Sequence, residues 1–239
     1  MKPELSVIIP CYNENDRFDE GFSHYSLYLS KQNYDWELIF VNDGSKDETY
    51  KLIKKVQEKS PQVTSISYKV NKGKGFAIKA GVEKAKGKYI LFTDIDHSVS
   101  IDTIEEFMNY LKKGAPVVIG SRRVKGAKFL KRQSPLREFL GKGFSFFVRL
   151  SISWEILDTT CGFKAFENKI AKKLFGKITI YDWAFDAEVL FLCKKYQCAF
   201  ECFVHCHPSG MQVPLRIFRM IFLYRKSGKP FCTRSTCGA

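Results

Sequence analysis

Short apolar runs alternate with helix-like segments over the first half of the chain. The apolar runs occupy residues 5–10, 37–42, 63–68, 89–93 and 117–120. Runs of this length are typical of strands that are buried on both faces. Capping boxes, which mark helix starts, are predicted at residues 45–48 and 102–105. The pattern therefore predicts an α/β fold with a mostly parallel central sheet flanked by helices.

Polar residues follow each of the predicted strands. They read PCYNE at residues 10–14, NDGS at 42–45, NKGKG at 71–75, TDID at 93–96 and GSRR at 120–123. Ligands of open α/β sheets bind beyond the carboxyl ends of the strands. The functional site is therefore expected at this carboxyl edge.

Asp94 and Asp96 end the fourth predicted strand with one residue between them. Mg²⁺ is usually held by one or two carboxylates together with substrate phosphates, so the pair suits a metal-bound diphosphate. An isolated pair of this kind is more often a turn that caps the next helix. Its position beside other polar loops favours a site for a divalent cation such as Mg²⁺.

Two further segments of this edge have a functional and a structural interpretation. Asp43 is suited to accept hydrogen bonds from a base or ribose, but it also fits a turn before a helix. The loop at residues 71–75 offers backbone N–H groups and lysines to an anion such as a diphosphate, or it is simply glycine-rich. Its spacing matches neither a P-loop nor Gly-x-Gly-x-x-Gly.

Composition adds constraints on size, compartment and partners. The 239 residues, 45% of them apolar, predict one large domain with a sizeable core. The net charge of +14 favours a nucleic acid, a phosphorylated small molecule or an anionic lipid surface. The eight cysteines are irregularly spaced, so we expect reduced thiols. We expect a cytosolic protein, because the sequence begins without a secretory signal pattern and contains no long uncharged apolar run.

Basic residues are concentrated after the fifth predicted strand. Arg122, Arg132 and Arg137 belong to this stretch, which begins where a strand end should face the site. It is suited to bind a second phosphate, although most charge runs are solvated faces. Segments 135–153 and 214–226 combine apolar and cationic residues. As helices they would lie in a lipid headgroup region, or pack against the rest of the protein.

Six motifs occur in order within about residues 4–210: LSVIIPCYNE, ELIFVNDGSKDET, NKGKGFAIKAGVEKAKGKYILFTDID, VVIGSRR, DTTCGFKAF and WAFDAEVLFL. In this order they resemble glycosyltransferase family 2. The resemblance implies the GT-A nucleotide-diphospho-sugar transferase fold over residues 1–210, followed by a basic amphipathic segment and tail at 211–239. DTTCGFK and WAFDAE are most similar to dolichyl-phosphate and polyprenyl-phosphate β-glucosyltransferases.

The resemblance implies a metal-dependent, inverting hexosyltransferase. Its expected donor is UDP-glucose and its acceptor a dolichyl or polyprenyl phosphate, with GDP-mannose as the alternative donor. The protein would bind peripherally to the cytosolic face of a membrane, the endoplasmic reticulum in a eukaryote or the plasma membrane in a prokaryote. Nucleic-acid binding is not expected, because no recognition module is present.

The resemblance also implies roles for individual residues. The nucleoside would be bound by Pro10, Tyr12, Asn13, Glu14 and Asp43. The remainder of the donor would lie near Gly73 and Lys74.

The residues implied in the reaction come from later motifs. The cation, Mg²⁺ or Mn²⁺, would be held by Asp94 and Asp96, and the acceptor phosphate by Arg122 with Arg132 or Arg137. Catalytic roles are implied for Asp94, Asp96, Arg122 and Asp186. Asp158 and Lys164 are secondary candidates.

The sequence departs from the family pattern at two places. Ile95 and His97 stand in the metal turn, and the usual tryptophan near Val213 and Pro214 is missing. A catalytically silent homologue that binds a membrane or a partner protein is therefore a second hypothesis.

Overall fold

A computed structural model describes residues 2–96, 99–120 and 161–198, and the backbone of short strands at 201–203, 220–221, 223–224 and 230–231. The strands are β1 (Leu5–Cys11), β2 (Trp36–Asp43), β3 (Val63–Tyr68), β4 (Tyr89–Phe92), β5 (Val117–Gly120), β6 (Lys164–Glu167), β7 (Glu201–Phe203), β8 (Met220–Ile221), β9 (Leu223–Tyr224) and β10 (Pro230–Phe231). The helices are α1 (Asn15–Leu29), α2 (Thr49–Lys59), α3 (Lys74–Lys84), α4 (Thr103–Lys112), α5 (Asn168–Phe175) and α6 (Phe185–Lys195).

An eight-stranded sheet forms the centre of the fold, in the order β3-β2-β1-β4-β6-β5-β7-β8. Strands β1 to β4 pair in parallel, and β5 pairs in parallel with β7. Strand β6 runs antiparallel between β4 and β5, and β8 is antiparallel to β7. The prediction of a mostly parallel sheet in an α/β fold is confirmed, with β6 as a strand that the apolar pattern did not reveal.

Hydrophobic clusters cover both faces of the sheet. In β1, Val7 and Ile9 belong to a cluster with α1 and α4, whereas Ile8 belongs to a cluster with α3, α5 and α6. Alternate side chains of a strand point to opposite faces, so a strand covered on both sides is apolar throughout. This arrangement explains the continuous apolar runs in the sequence.

The predicted capping box at the start of α2 is wrong. Ser45 and Glu48 do not cap the helix; the Thr49 N–H donates instead to Asp47 Oδ1 at 3.0 Å. The Ser45 hydroxyl accepts a hydrogen bond from the Asn13 N–H at 3.0 Å. The predicted capping box at residues 102–105 is also wrong, because the Asp102 side chain makes no capping hydrogen bond to α4. The Ser45 side chain thus links the loops after β1 and β2 rather than capping α2.

The cysteine and membrane expectations are tested only in part. Cys11, Cys161, Cys193 and Cys198 are buried free thiols, as predicted for reduced cysteines. Among the residues described, no helix combines the length and apolar character needed to cross a bilayer. Strands β8 and β9 occupy part of segment 214–226, where a helix was expected. Segment 135–153 lies outside the described residues.

Candidate functional site

Hydrogen bonds of Asn13 and Glu14 join the loop after β1 to the loop after β2 and to the start of α2. Asn13 Oδ1 accepts from the Lys46 N–H at 2.8 Å, and the Glu14 N–H donates to Thr49 Oγ1 at 2.8 Å. Asn13 has φ of 54°, a left-handed conformation that asparagine adopts more readily than most residues. Its side chain is thus engaged in holding the two loops together. Tyr12, next to it, is 42% exposed and available to a ligand.

Asp43, at the end of β2, binds the backbone of the glycine-rich loop. Its Oδ1 accepts from the Lys72 N–H at 2.8 Å and its Oδ2 from the Gly73 N–H at 3.0 Å. The Gly75 N–H donates to the Tyr181 carbonyl at 2.8 Å. The expectation that this loop presents its N–H groups to a diphosphate is therefore wrong at these three positions. The anion bound by Lys72 and Gly73 is a carboxylate of the protein.

Gly73 is required by the conformation of that loop. It has φ of 97°, which side-chain-bearing residues rarely adopt, and a Cβ there would collide with the Tyr181 carbonyl oxygen. The loop thereby delivers Lys74 to the first position of α3.

Asp94 lies at the carboxyl edge, as predicted, and pairs with Lys74. Its Oδ1 is 2.6 Å from Lys74 Nζ, and the side chains are 31% and 11% exposed, respectively. The Tyr25 hydroxyl donates to the Asp94 carbonyl at 3.0 Å and lies 2.9 Å from Thr93 Oγ1. Burial raises the pKa of Tyr25, so its hydroxyl stays protonated. Tyr25 is a supporting residue that the sequence reasoning missed, because nothing distinguishes it from other apolar positions of α1.

Asp96 lies nearer the solvent and faces the first turn of α1. Its Oδ2 is 4.0 Å from the Arg17 guanidinium, which binds Glu14 at 2.7 Å. Burial raises the pKa of Glu14, and the guanidinium works against that rise. Two acids of the predicted site, Glu14 and Asp96, thus share one cation.

Asp94 and Asp96 are the residues that would hold the predicted cation. No cluster of three or more potential metal ligands occurs among the described side chains. Asp94 and Asp96 nevertheless provide carboxylate oxygens, the donors that Mg²⁺ prefers, and Mg²⁺ commonly takes its other ligands from substrate phosphates and water. The donor set therefore fits a divalent cation that binds together with a diphosphate.

A second Lys–Asp pair lies beneath this edge. Lys164, at the start of β6, is fully buried, with Nζ 2.5 Å from Asp186 Oδ1 and 2.6 Å from the Cys161 carbonyl. Burial raises the pKa of Asp186, although the Lys164 ammonium opposes the shift. A Cβ at Gly162 would lie 2.5 Å from Asp94 Oδ2. The segment that begins β6 therefore packs directly against the predicted metal ligand.

Trp183 is a second residue that the sequence reasoning did not assign to the site. Its side chain is 76% exposed, and its ring centroid lies 5.1 Å from Lys74 Nζ. The only sequence signal was its place in the WAFDAE motif. The exposed indole of Trp183 therefore lies beside the Lys74 ammonium, on the solvent side of the candidate site.

The acceptor part of the predicted site is not tested. Arg122, Arg132, Arg137 and Asp158 lie outside the described residues, as does His97. Their roles remain predictions.

Comparisons with known proteins concern the family and the fold of the chain. Residues 6–175 match the family model "Glycosyl transferase family 2". The chain is 35% identical over 203 residues to a dolichyl-phosphate β-glucosyltransferase of Trichomonas vaginalis, covering 80% of this chain and 60% of that protein. It is 32% identical over 207 residues to the Homo sapiens protein of that name, covering 81% and 64%. The chain thus spans less than two thirds of the length of these relatives.

Solved structures with low sequence identity share the fold. Glucosyl-3-phosphoglycerate synthase from Mycobacterium tuberculosis, in complex with Mn²⁺, UDP and phosphoglyceric acid, matches with a TM-score of 0.65 at 16% identity, over 89% of this chain and 72% of that one. TarS from S. aureus, in complex with UDP-GlcNAc, matches with a TM-score of 0.54 at 20% identity, over 80% and 53%. These likenesses confirm the predicted fold.

Proposed function

Because the chain belongs to glycosyltransferase family 2, we propose that it transfers glucose from UDP-glucose to a dolichyl or other polyprenyl phosphate. The observation that carries this proposal is its identity of 35% with a dolichyl-phosphate β-glucosyltransferase over 80% of the chain. The carboxylates at the end of β4 support it, since they suit a metal-bound sugar nucleotide.

The chemistry requires little help from a base. The second pKa of a phosphate monoester is about 6, so the acceptor phosphate is already an anion at neutral pH. One of its oxygens attacks the anomeric carbon and forms a new C–O bond. The bond from that carbon to the β-phosphate oxygen breaks, and UDP leaves with the electron pair. In-line attack inverts the anomeric centre and gives a β-linked product.

The site residues would act mainly by charge and position. Asp94 and Asp96 would hold Mg²⁺ or Mn²⁺, which when bound offsets the negative charge on the departing diphosphate. Arg122 with Arg132 or Arg137 would bind the acceptor phosphate. Asp186 is buried against Lys164 and therefore suits a supporting role better than proton transfer.

The nucleoside would lie over the loops after β1, β2 and β3. Tyr12 has the exposed ring, whereas Asn13 and Asp43 hold the loops in place through the hydrogen bonds described above. Pro10, Glu14 and Gly73 would complete the surface. Lys74, at the first turn of α3, would meet the diphosphate, which a helix N-terminus also attracts.

A lipid-linked acceptor implies contact with a membrane. We propose peripheral binding at the cytosolic face, the endoplasmic reticulum in a eukaryote. The net charge of +14 supports attraction to anionic headgroups.

A transfer assay with radiolabelled donors tests the proposed function. Purified protein is incubated with dolichyl phosphate in detergent and labelled UDP-glucose, with Mn²⁺ or with a chelator. We expect metal-dependent label in the lipid fraction, and less or none from GDP-mannose. No labelled lipid from any nucleotide sugar would contradict the proposal.

Two variants locate the activity on the protein. Asp96→Asn is expected to lose most of the transfer. Asp35→Asn removes a comparable exposed carboxylate at the opposite edge of the sheet, before β2, and should keep it. Full activity of Asp96→Asn would show that the site is misassigned.

A further inference from the structure

Lys74 contacts the same carboxylate that the metal site needs. We propose that the Lys74 ammonium and a divalent cation compete for Asp94, and that a donor diphosphate relieves this competition by binding the ammonium. The inference rests on the proposed function, and it specifies how donor and metal binding depend on each other.

The Lys74–Asp94 contact is close and partly shielded from water. Nζ and Oδ1 are 2.6 Å apart, and the lysine side chain is only 11% exposed. Ion pairs are screened less when they are partly buried, so the ammonium is a serious competitor for this oxygen. A cation that coordinates Oδ1 would repel it at short range.

The second oxygen of the carboxylate faces the Gly162 backbone. A Cβ at Gly162 would lie 2.5 Å from Asp94 Oδ2 and 3.3 Å from Lys74 Nζ. The Gly162 backbone therefore lies close to both charged groups. A cation that binds through Oδ1 would meet the Lys74 ammonium directly.

When it leaves Asp94, the Lys74 ammonium can stay in contact with Trp183. Its Nζ lies 5.1 Å from the ring centroid of Trp183, which is 76% exposed. A lysine ammonium on a flexible stem can stay over an indole face while it turns toward solvent. An anionic diphosphate at the first turn of α3 would bind it there, with help from the helix N-terminus.

The competition predicts reciprocal coupling between the two ligands. A diphosphate that takes the ammonium makes Asp94 available to the metal, and a metal on Asp94 makes the ammonium available to the diphosphate. Each ligand must raise the affinity of the other by the same factor. Lys74 would thereby favour joint binding of donor and metal over binding of the metal alone.

Mn²⁺ binding to the full chain, followed by electron paramagnetic resonance of the free ion, tests this inference without any turnover. In the absence of nucleotide, Lys74→Met is expected to bind Mn²⁺ about tenfold more tightly than the wild type, since a charged hydrogen bond no longer competes. The same variant should bind UDP without metal about tenfold more weakly, because a charged partner of the diphosphate is lost. A residue with a merely structural role would not move the two affinities in opposite directions.

Two further variants serve as controls. Lys79→Met removes the same charge from α3, but Lys79 lies over the Tyr181 ring at 5.6 Å and no ion pair is seen for it among the described residues. It should leave Mn²⁺ binding unchanged. Lys74→Arg keeps the positive charge and should keep the weak Mn²⁺ affinity. Thermal unfolding of each variant confirms that it folds.

The outcomes separate this inference from the proposed function. Unchanged or weaker Mn²⁺ binding by Lys74→Met would overturn the competition, whatever the transfer assay gives. Absence of Mn²⁺ binding by every variant, with and without UDP, would overturn both the competition and the metal site. Opposite shifts of the two affinities without glucose transfer would support the competition and overturn the proposed reaction.

Discussion

Two Lys–Asp pairs of nearly equal length occupy very different surroundings. Lys164 and Asp186 are 2.5 Å apart with side chains 0% and 5% exposed, whereas Lys74 and Asp94 are 2.6 Å apart and 11% and 31% exposed. Separating the first pair would leave charges where water cannot reach them, which is strongly unfavourable. The second pair can separate into solvent or onto a ligand. Burial, more than distance, decides which pair is fixed and which can exchange.

The largest effect is expected from breaking the buried pair. Lys164→Met leaves Asp186 buried without its cation, so the free energy of unfolding should fall by about 3–5 kcal/mol. Urea denaturation followed by circular dichroism measures this. Lys51→Met, which breaks an exposed pair with Glu48, is the matched control and should change little.

A double variant then identifies the cause. Lys164→Met combined with Asp186→Leu removes both charges and should recover much of the lost stability. Equal stability of the single and double variants would mean that the unpaired carboxylate is not what destabilises the protein.

The partly exposed pair should behave in the opposite way, with a large effect on activity and a small one on stability. Asp94→Asn is expected to lower kcat by about 10²–10³-fold, the usual result of losing one electrostatic contact to the transition state. Its unfolding free energy should stay close to that of the wild type. A loss of stability comparable to that of Lys164→Met would remove the distinction between the pairs.

Gly162 connects the two pairs, and a methyl group there should disturb the exposed one. Gly162→Ala places a Cβ against Asp94 Oδ2, and overpacking of this kind costs about 1–3 kcal/mol. We expect weaker Mn²⁺ and UDP binding, measured by calorimetry. Gly114→Ala is the control: a φ of 98° strains an alanine there, but Gly114 precedes β5 at the opposite edge of the sheet, so both affinities should stay unchanged.

The smallest effect concerns pH. Because burial raises the pKa of Asp186, the folded state binds more protons than the unfolded state above about pH 4, the ordinary range of an aspartate. The unfolding free energy should therefore fall as pH rises until the folded pKa is passed. Urea titrations from pH 4 to 8 check this against the Lys164→Met/Asp186→Leu variant, which should lack that component. If the unfolding free energy rose with pH relative to this double variant, the folded-state pKa of Asp186 would be lowered rather than raised.

The sequence predicted most of the parallel part of the sheet because β1, β2, β4 and β5 are buried on both faces and largely apolar. The runs at residues 5–10 and 117–120 correspond closely to β1 and β5. Strand β6 was missed because it begins with Lys164, a residue that rarely occurs in a core. Its burial depends on Asp186, which is distant in sequence, so no local pattern indicates it.

The candidate site was predicted in position but not in its internal contacts. Asp94 and Asp96 lie at the expected edge. The loop at residues 71–75, however, looks the same in sequence whether its N–H groups bind a phosphate or a carboxylate. Only the fold reveals that Asp43 takes the Lys72 and Gly73 N–H groups. Likewise, Lys74 contacts Asp94 only because the fold brings together the segments that follow β3 and β4.

The reversed direction of β6 has a consequence for how such a protein can diversify. Because β6 is antiparallel to β5, the chain leaves the sheet at Gly120 and rejoins it near Phe163 on the same side, where the Gly120 N–H donates to the Phe163 carbonyl at 2.9 Å. Gly120 and Phe163, the described residues on either side of the intervening stretch, are thus held together at the carboxyl edge of the sheet. A change in the length of the chain between these two residues would therefore leave the register of β5 and β6 unchanged.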